Sequence, residues 1–345
     1  MLKILKSVWL RLSVLLMLFP GILFQSFASE DFISDFDIHS NHKVSLTLIR
    51  HNTFCYTKCY RPEESKEDKE EDVYNTKISN SDPTVPVYSN KAIQYGGVII
   101  GADKRQQVTY PTQNPWKVHG QLTMNFGDKT YSGSGTLVSP CHVLTAGHNL
   151  YDPKTKQWAY NVKFFPARNS LNDNTKAVNC IKKTIFSAWQ YGDDNFDMGI
   201  VLLEQPIGKT MGWNGMLCVD DDYLVGLNVN VSGYPADKHP GGTMWQDESS
   251  ITYINTNRKR FYYNLSAFKG QSGSNPWIKL PEASKNITLP AYFFFEYDKF
   301  SHLNGYYSLG VHAYGFLNNG LGVANVATRL TEDKMEALVR HINNS

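Results

Sequence analysis

The sequence predicts an all-β fold of two packed six-stranded barrels, closed by one C-terminal α-helix. Three observations carry that expectation. From about Val98 onward, short segments with apolar residues at a period of two recur along the chain. Gly, Tyr and Phe are plentiful (25, 20 and 18 residues), which suits twisted strands joined by turns. Helical periodicity is clear only at the very end. In chain order, Val118, Gly120, Leu122, Met124 and Phe126 alternate as a half-buried strand. Gly135–Val138 and His142–Thr145 follow as short strands broken by Ser139-Pro140. Further strands are expected at Val162–Phe165, Met198–Leu203, Leu227–Ser232, Ile251–Ile254, Tyr292–Tyr297 and Tyr307–Tyr314. Thr331 stands where a helix wants an N-cap, and Met335, Leu338, Val339 and Ile342 share one face. The two barrels are assigned to about residues 98–210 and 211–330, and the helix to 331–343.

The N-terminal part has a different character. Lys3, Lys6 and Arg11 precede an apolar run from Leu12 to Phe24, and small residues surround Ala28. A charged start, a short apolar middle and a small-residue exit make a secretory signal over residues 1–28, cut after Ala28. The run is short for a bilayer span. Export implies oxidising surroundings for the five cysteines. Cys55 and Cys59 are close enough in sequence to pair; Cys141, Cys180 and Cys218 allow at most one further bridge. Residues 29–97 contain a charge run, Glu63–Asp72, that cannot build a core, and a turn-rich stretch, Ser79–Pro86. They read as a propeptide and processing linker. Lys and Arg number 34 against 32 Asp and Glu, a balance that argues against nucleic-acid and membrane-surface partners.

Three segments carry groups that make chemical sense together: Leu144-Thr-Ala-Gly-His148, Asp194-Asn-Phe-Asp197-Met-Gly-Ile200 and Gly270-Gln-Ser272-Gly-Ser274. A serine hydroxyl is a weak nucleophile until an imidazole takes its proton and a buried carboxylate orients that imidazole. The order His, Asp, Ser is that of the chymotrypsin type, unlike the subtilisin and α/β-hydrolase orders. Asp193 and Asp194 compete with Asp197, but Asp197 directly precedes the apolar Met198–Leu203 strand, which would fix its carboxylate. Flanking glycines let the amides of Gly270 and Ser272 point at one oxygen, the arrangement that stabilises a tetrahedral intermediate. The expectation is a secreted serine endopeptidase acylated at Ser272, a monomer acting on protein or peptide substrates. A non-catalytic binding or toxin-like module on the same fold is the alternative. Ser266-Ala-Phe-Lys269 has the spacing of penicillin-binding enzymes, but neither companion motif is present. Cys141, His142 and His148 match no standard metal spacing, so no metal or other cofactor is expected.

At these residues the chain resembles the bacterial glutamyl endopeptidases, the V8-protease-like branch of the chymotrypsin-type serine proteases. The resemblance covers about Val98 to the C-terminus. Thr145-Ala-Gly-His148-Asn-Leu-Tyr-Asp152 is similar to the family's histidine segment. Pro206-Ile-Gly-Lys-Thr-Met-Gly212, Ser232-Gly-Tyr-Pro-Ala-Asp-Lys238 and Thr243-Met-Trp245 are similar to segments that carry no catalytic group. The resemblance implies a zymogen, cut by an activating protease near Gly97 or Val98, at the segment Val98-Ile-Ile-Gly-Ala-Asp-Lys-Arg105. It also implies a preference for Glu, less often Asp, on the acyl side of the cut. The family reads that carboxylate with a histidine in a strand like Gly310-Val-His312-Ala-Tyr-Gly315. A donor at His312 suits a carboxylate, more strongly if charged. Two departures stand out. Ala267 replaces the usual pocket threonine, which leaves a different side-chain preference open. The usual Ser-Gly-Ser-Pro becomes Ser272-Gly-Ser-Asn-Pro276, one residue longer, with a shift of the following strand as its expected effect.

Overall fold

Residues 32–34, 91–172, 177–279, 293–294 and 305–345 are described by a computed structural model, 32–34 and 293–294 as backbone alone. The signal segment, the Glu63–Asp72 run, Ser79–Pro86, Cys55, Cys59 and most of Tyr292–Tyr297 lie outside the described residues.

The first sheet follows from alternation. Leu122 and Met124 point inward from His119–Phe126, which pairs with Lys129–Leu137 in a tight antiparallel hairpin, Gly120 opposite Gly135. Lys129–Leu137 leads to His142–Thr145, then Gly199–Leu203, then Val178–Phe186, and Tyr160–Pro166 returns to the hairpin. Pairing of Val178–Asn179 with Lys163–Phe164 closes these six strands into a barrel. Leu122, Leu137, Val143, Phe164, Ile185 and Val201 fill it. The second sheet runs Ala92–Tyr95, Gly310–Asn318, Leu321–Arg329, Arg260–Tyr263, Trp245–Asn255, Asn228–Gly233, Trp277–Lys279, Tyr306–Ser308, Gly215–Cys218 and Phe293–Phe294. Among the described residues its two ends do not pair, so it is a half-barrel around Val229, Val231, Ile251, Phe261 and Ile278. A third apolar cluster joins the two: Val138, Leu144, Met198 and Ile200 from one side, Met216, Val311 and Leu330 from the other. Met335, Leu338 and Ile342 of the helix Glu332–Asn343 cap that cluster, with Val339 partly buried beside them.

The departures from expectation have local causes. Val178–Phe186, Arg260–Tyr263 and Leu321–Arg329 are strands that periodicity did not pick out. The first carries Lys182 and Lys183 mid-strand, and the last is built of small residues on a buried face. Gln106–Gln107 pairs with Trp245–Gln246, so the stretch after Val98 belongs with the second sheet, and the first barrel starts at His119. Phe32–Ser34 and Ala92–Tyr95, within the region read as propeptide and linker, are strands of the first and second sheet respectively. The expected strand Tyr307–Tyr314 is two, broken at Leu309. Thr331 does occupy the N-cap position, but its hydroxyl turns to Asp333 instead of capping a backbone N–H. Cys141, Cys180 and Cys218 are all free thiols. Among the described residues, no helix is long and apolar enough to cross a membrane.

Candidate active site

Register puts the first two groups side by side. His142–Thr145 and Gly199–Leu203 are antiparallel neighbours with Thr145 opposite Gly199, so the exit of one strand meets the entry of the other. His148 lies on the 3₁₀ turn Gly147–Asn149 just after the first strand, and Asp197 on the turn just before the second. The Asp197 carboxylate, 1 % exposed, accepts from the His148 backbone N–H at 2.8 Å and from its Nδ1–H at 2.7 Å. Two bonds to one residue fix both the ring plane and the tautomer. Asp193 and Asp194 are used elsewhere: Asp193 accepts from the Asn195 N–H, and Asp194 pairs with Arg260 at 3.5 Å.

Ser272 comes from the other half of the molecule. Its loop follows Arg260–Tyr263 and is bonded across to the first barrel. The Ser272 carbonyl accepts from Ser134 N–H at 2.7 Å and from Asn149 Nδ2 at 3.0 Å. On the other side Gly273 N–H donates to the His312 carbonyl at 2.8 Å. Held between the two sheets, Ser272 Oγ donates to His148 Nε2 at 2.6 Å. Gly270 has φ +96°, and a Cβ there would meet the Tyr234 carbonyl at 2.3 Å, so only glycine fits. That turn leaves the amides of Gly270 and Ser272 without an acceptor among the described residues.

His312, Ala267 and Gly315 also converge. All three abut Gly97–Val98: a Cβ on Gly97 would lie 2.4 Å from Ala267 Cβ and 2.7 Å from His312 Nε2, and one on Gly315 would lie 2.8 Å from Val98 Cγ2. His312 is fully buried, and burial pushes its pKa down to about 4, with nearby His148 pushing the same way. The Gly96 carbonyl pulls it back only in part. The ring is therefore a neutral donor at neutral pH. Its Nδ1 is 2.6 Å from the Tyr263 hydroxyl, whose pKa burial raises, so the phenol stays protonated; with the phenol donating to Nδ1, the ring proton sits on Nε2.

Sequence reasoning missed Tyr263, Asn149, Ser134 and Asn325. Asn325 is fully buried at the pocket wall and donates to the carbonyls of Val98 and Leu265 at 2.8 and 2.7 Å. Only position in the fold reveals these partners; no motif marks them. The lengthened Ser272-Gly-Ser-Asn-Pro276 segment buries Asn275 completely, and Trp277–Lys279 still pairs with Tyr306–Ser308.

Comparison with known proteins fits this geometry. The trypsin family model matches residues 103–275. A glutamyl endopeptidase of Bacillus licheniformis is 30% identical over 269 residues, 78% of this chain and 75% of the relative. A Bacillus subtilis protein named extracellular metalloprotease is 30% identical over 241 residues, 68% of this chain and 66% of the relative. A solved Glu endopeptidase in complex with MPD shares the fold, with a TM-score of 0.56 and 24% identity over 71% of this chain and 99% of that one. The fold and site define a chymotrypsin-like serine protease. The chain belongs to the trypsin family, as a serine endopeptidase related to the glutamyl endopeptidases.

The name of the second relative raises a metal. Among the described residues no group of three or more His, Cys, Asp or Glu side chains could hold one. Both His148 ring nitrogens are engaged by Asp197 and Ser272, and His142 Nδ1 sits 2.7 Å from Ser139 Oγ. This donor set does not fit a catalytic metal.

Proposed function

We propose that the chain is exported and, once processed, hydrolyses peptide bonds through an acyl-enzyme on Ser272, preferring Glu, less often Asp, on the acyl side. The line of hydrogen bonds from Ser272 Oγ through His148 to Asp197 carries this reading. As Oγ attacks the carbonyl carbon, its proton passes to His148 Nε2, and Asp197 stabilises the resulting imidazolium. The carbonyl oxygen takes up negative charge facing the Gly270 and Ser272 amides. Collapse breaks the C–N bond while Nε2 returns its proton to the leaving amine. Water, deprotonated by the same imidazole, then hydrolyses the ester and restores Ser272.

The neutral Nε2–H of His312, backed by Tyr263, supports recognition of a substrate carboxylate. Ala267 lends no hydroxyl, which favours a weaker selection than a pocket with threonine, and a different preference is the second reading. The N-terminal run of basic, apolar and small residues supports export. Maturation is assigned to an activating protease cutting beside Gly97–Val98, and the working enzyme to a monomer. A fluorophosphonate should label the processed protein, and Ser272→Ala should abolish labelling. Digestion of a mixed peptide library should give cuts after Glu. Cuts spread over apolar or basic residues, with none after Glu, would remove the specificity; no labelling would remove the enzyme.

A further inference from the structure

The strand Gly310–Asn318 has Leu321–Arg329 on one side, and its other edge runs past the nucleophile. The Ala313 carbonyl is 3.5 Å from Ser272 Oγ, and the His312 carbonyl holds Gly273 N–H. A strand edge beside a reactive serine is a seat for an extended peptide, whose main-chain groups bind whatever its sequence. In this chain that edge is taken. Ala92–Tyr95 pairs antiparallel along it, with Tyr95 opposite Tyr314, Gln94 opposite Gly315 and Ile93 opposite Phe316. The register continues one step, Gly96 N–H donating to the Ala313 carbonyl at 2.9 Å. The Tyr95 ring lies on the catalytic imidazole, centroid to centroid 4.5 Å from His148.

Beyond Tyr95 the chain turns inward. Gly96 and Gly97 have φ of +81° and +97°. A Cβ on Gly96 would meet Lys269 Cα at 2.6 Å, and Gly97 is packed on Ala267 and His312, so side chains are barred from both. Val98 is then tied down independently. Its N–H donates to Asn325 Oδ1 at 2.8 Å, and its carbonyl accepts from Asn325 Nδ2 at 2.8 Å and from Ala267 N–H at 3.0 Å.

We propose that Lys91–Gly97 is a built-in competitor, a strand of this same chain seated on the substrate's edge with Tyr95 covering His148, so that the uncut protein blocks itself. A cut at Gly97–Val98 frees the strand and leaves Val98 anchored on Asn325. Tethering supplies the needed strength: a short link holds such a strand at roughly millimolar effective concentration, at or above common KM values of about 1 µM to 1 mM. Cutting removes the covalent link to Val98, so the strand becomes the C-terminal end of the severed segment and can leave its edge. The inference rests on the peptidase reading.

The test compares the uncut full-length chain with its processed form. Fluorophosphonate should label Ser272 of the uncut chain at least about tenfold more slowly. The double variant Tyr95→Ala, Gly96→Pro loses the ring over His148 and the N–H to Ala313, and should be labelled rapidly without any cut. The synthetic peptide Lys-Ala-Ile-Gln-Tyr-Gly-Gly should inhibit the processed enzyme competitively, and its Tyr→Ala version should inhibit less. In full-length Ser272→Ala, hydrogen exchange of the amides at Tyr314–Leu317 should accelerate once the strand is cut away. Equal labelling of uncut and processed chains, or unchanged exchange at Tyr314–Leu317, overturns the proposal. If neither form is labelled, the peptidase reading itself falls, and the inference falls with it.

Discussion

At the scale of single residues, the telling position is His312. Its main chain and its side chain serve different ends: the carbonyl positions Gly273 beside the nucleophile, while the ring faces the pocket. In the uncut chain burial holds the ring neutral, so what it offers a carboxylate is one N–H bond. A hydrogen bond to a charged group is worth about 1.5–3 kcal/mol, or roughly tenfold to a hundredfold. His312→Leu should therefore lower kcat/KM on a Glu substrate by about that factor and affect an Ala substrate far less, while phosphonate labelling of Ser272 persists. Tyr263→Phe removes the hydroxyl that fixes the tautomer and should fall between the two. Steady-state kinetics on the paired substrates decides the matter. Equal losses on both substrates would mean that His312 only supports the loop.

At the scale of elements, the site depends on turns held by distant side chains. Lys334, in the first turn of the C-terminal helix, is fully buried and donates to the Asn195 carbonyl at 2.6 Å and the Arg329 carbonyl at 3.1 Å. Asn195 lies in the 3₁₀ turn that delivers Asp197. Burial pushes the Lys334 pKa down to about 7, but charged or neutral the amine keeps N–H donors for both carbonyls. Lys334→Met would leave two acceptors unmet at about 1–3 kcal/mol each, and Tm should drop by roughly 2–4 °C per kcal/mol. Because the turn carries Asp197, kcat should fall as well with KM unchanged; thermal melts alongside kinetics measure both. None of this was legible beforehand. His148, Asp197 and Ser272 could be found because their chemistry requires particular residue types in short recognisable segments. Lys334, Asn149 and Tyr263 act through contacts made across the fold, and an isolated Lys, Asn or Tyr has no local signature. Likewise, alternation found His119–Phe126, where one face is buried, but missed Leu321–Arg329, where both faces pack and the residues are small.

At the scale of the whole molecule, three histidines set the response to acid. His119 lies in the first barrel, His142 beside the helix and His312 in the second sheet; each has one ring nitrogen on a hydroxyl, of Thr136, Ser139 and Tyr263 respectively. The other nitrogen of His119 and of His142 is buried and has no partner among the described residues, while the His312 ring also meets the Gly96 carbonyl. Protonation would place a charge in the interior, and burial accordingly pushes the three pKa values down to about 3, about 4 and about 4. An unfolded histidine titrates near 6.5. Between about 6.5 and about 4 the unfolded chain thus binds protons that the folded chain refuses, and stability falls as pH falls through that window. At about 1.4 kcal/mol per pH unit, the depression is worth roughly 5 kcal/mol for His119 and roughly 3–4 kcal/mol for each of the other two, a sum of the same order as the 5–15 kcal/mol of an ordinary domain. The protein should therefore unfold in mild acid, in large part before carboxylates protonate, with close to three protons taken up on unfolding near pH 5. Denaturant titrations across that range give the slope directly. His119→Gln or His142→Gln should flatten it by about a third each while leaving the site intact, and a slope unchanged in both would show that the acid response comes from other groups.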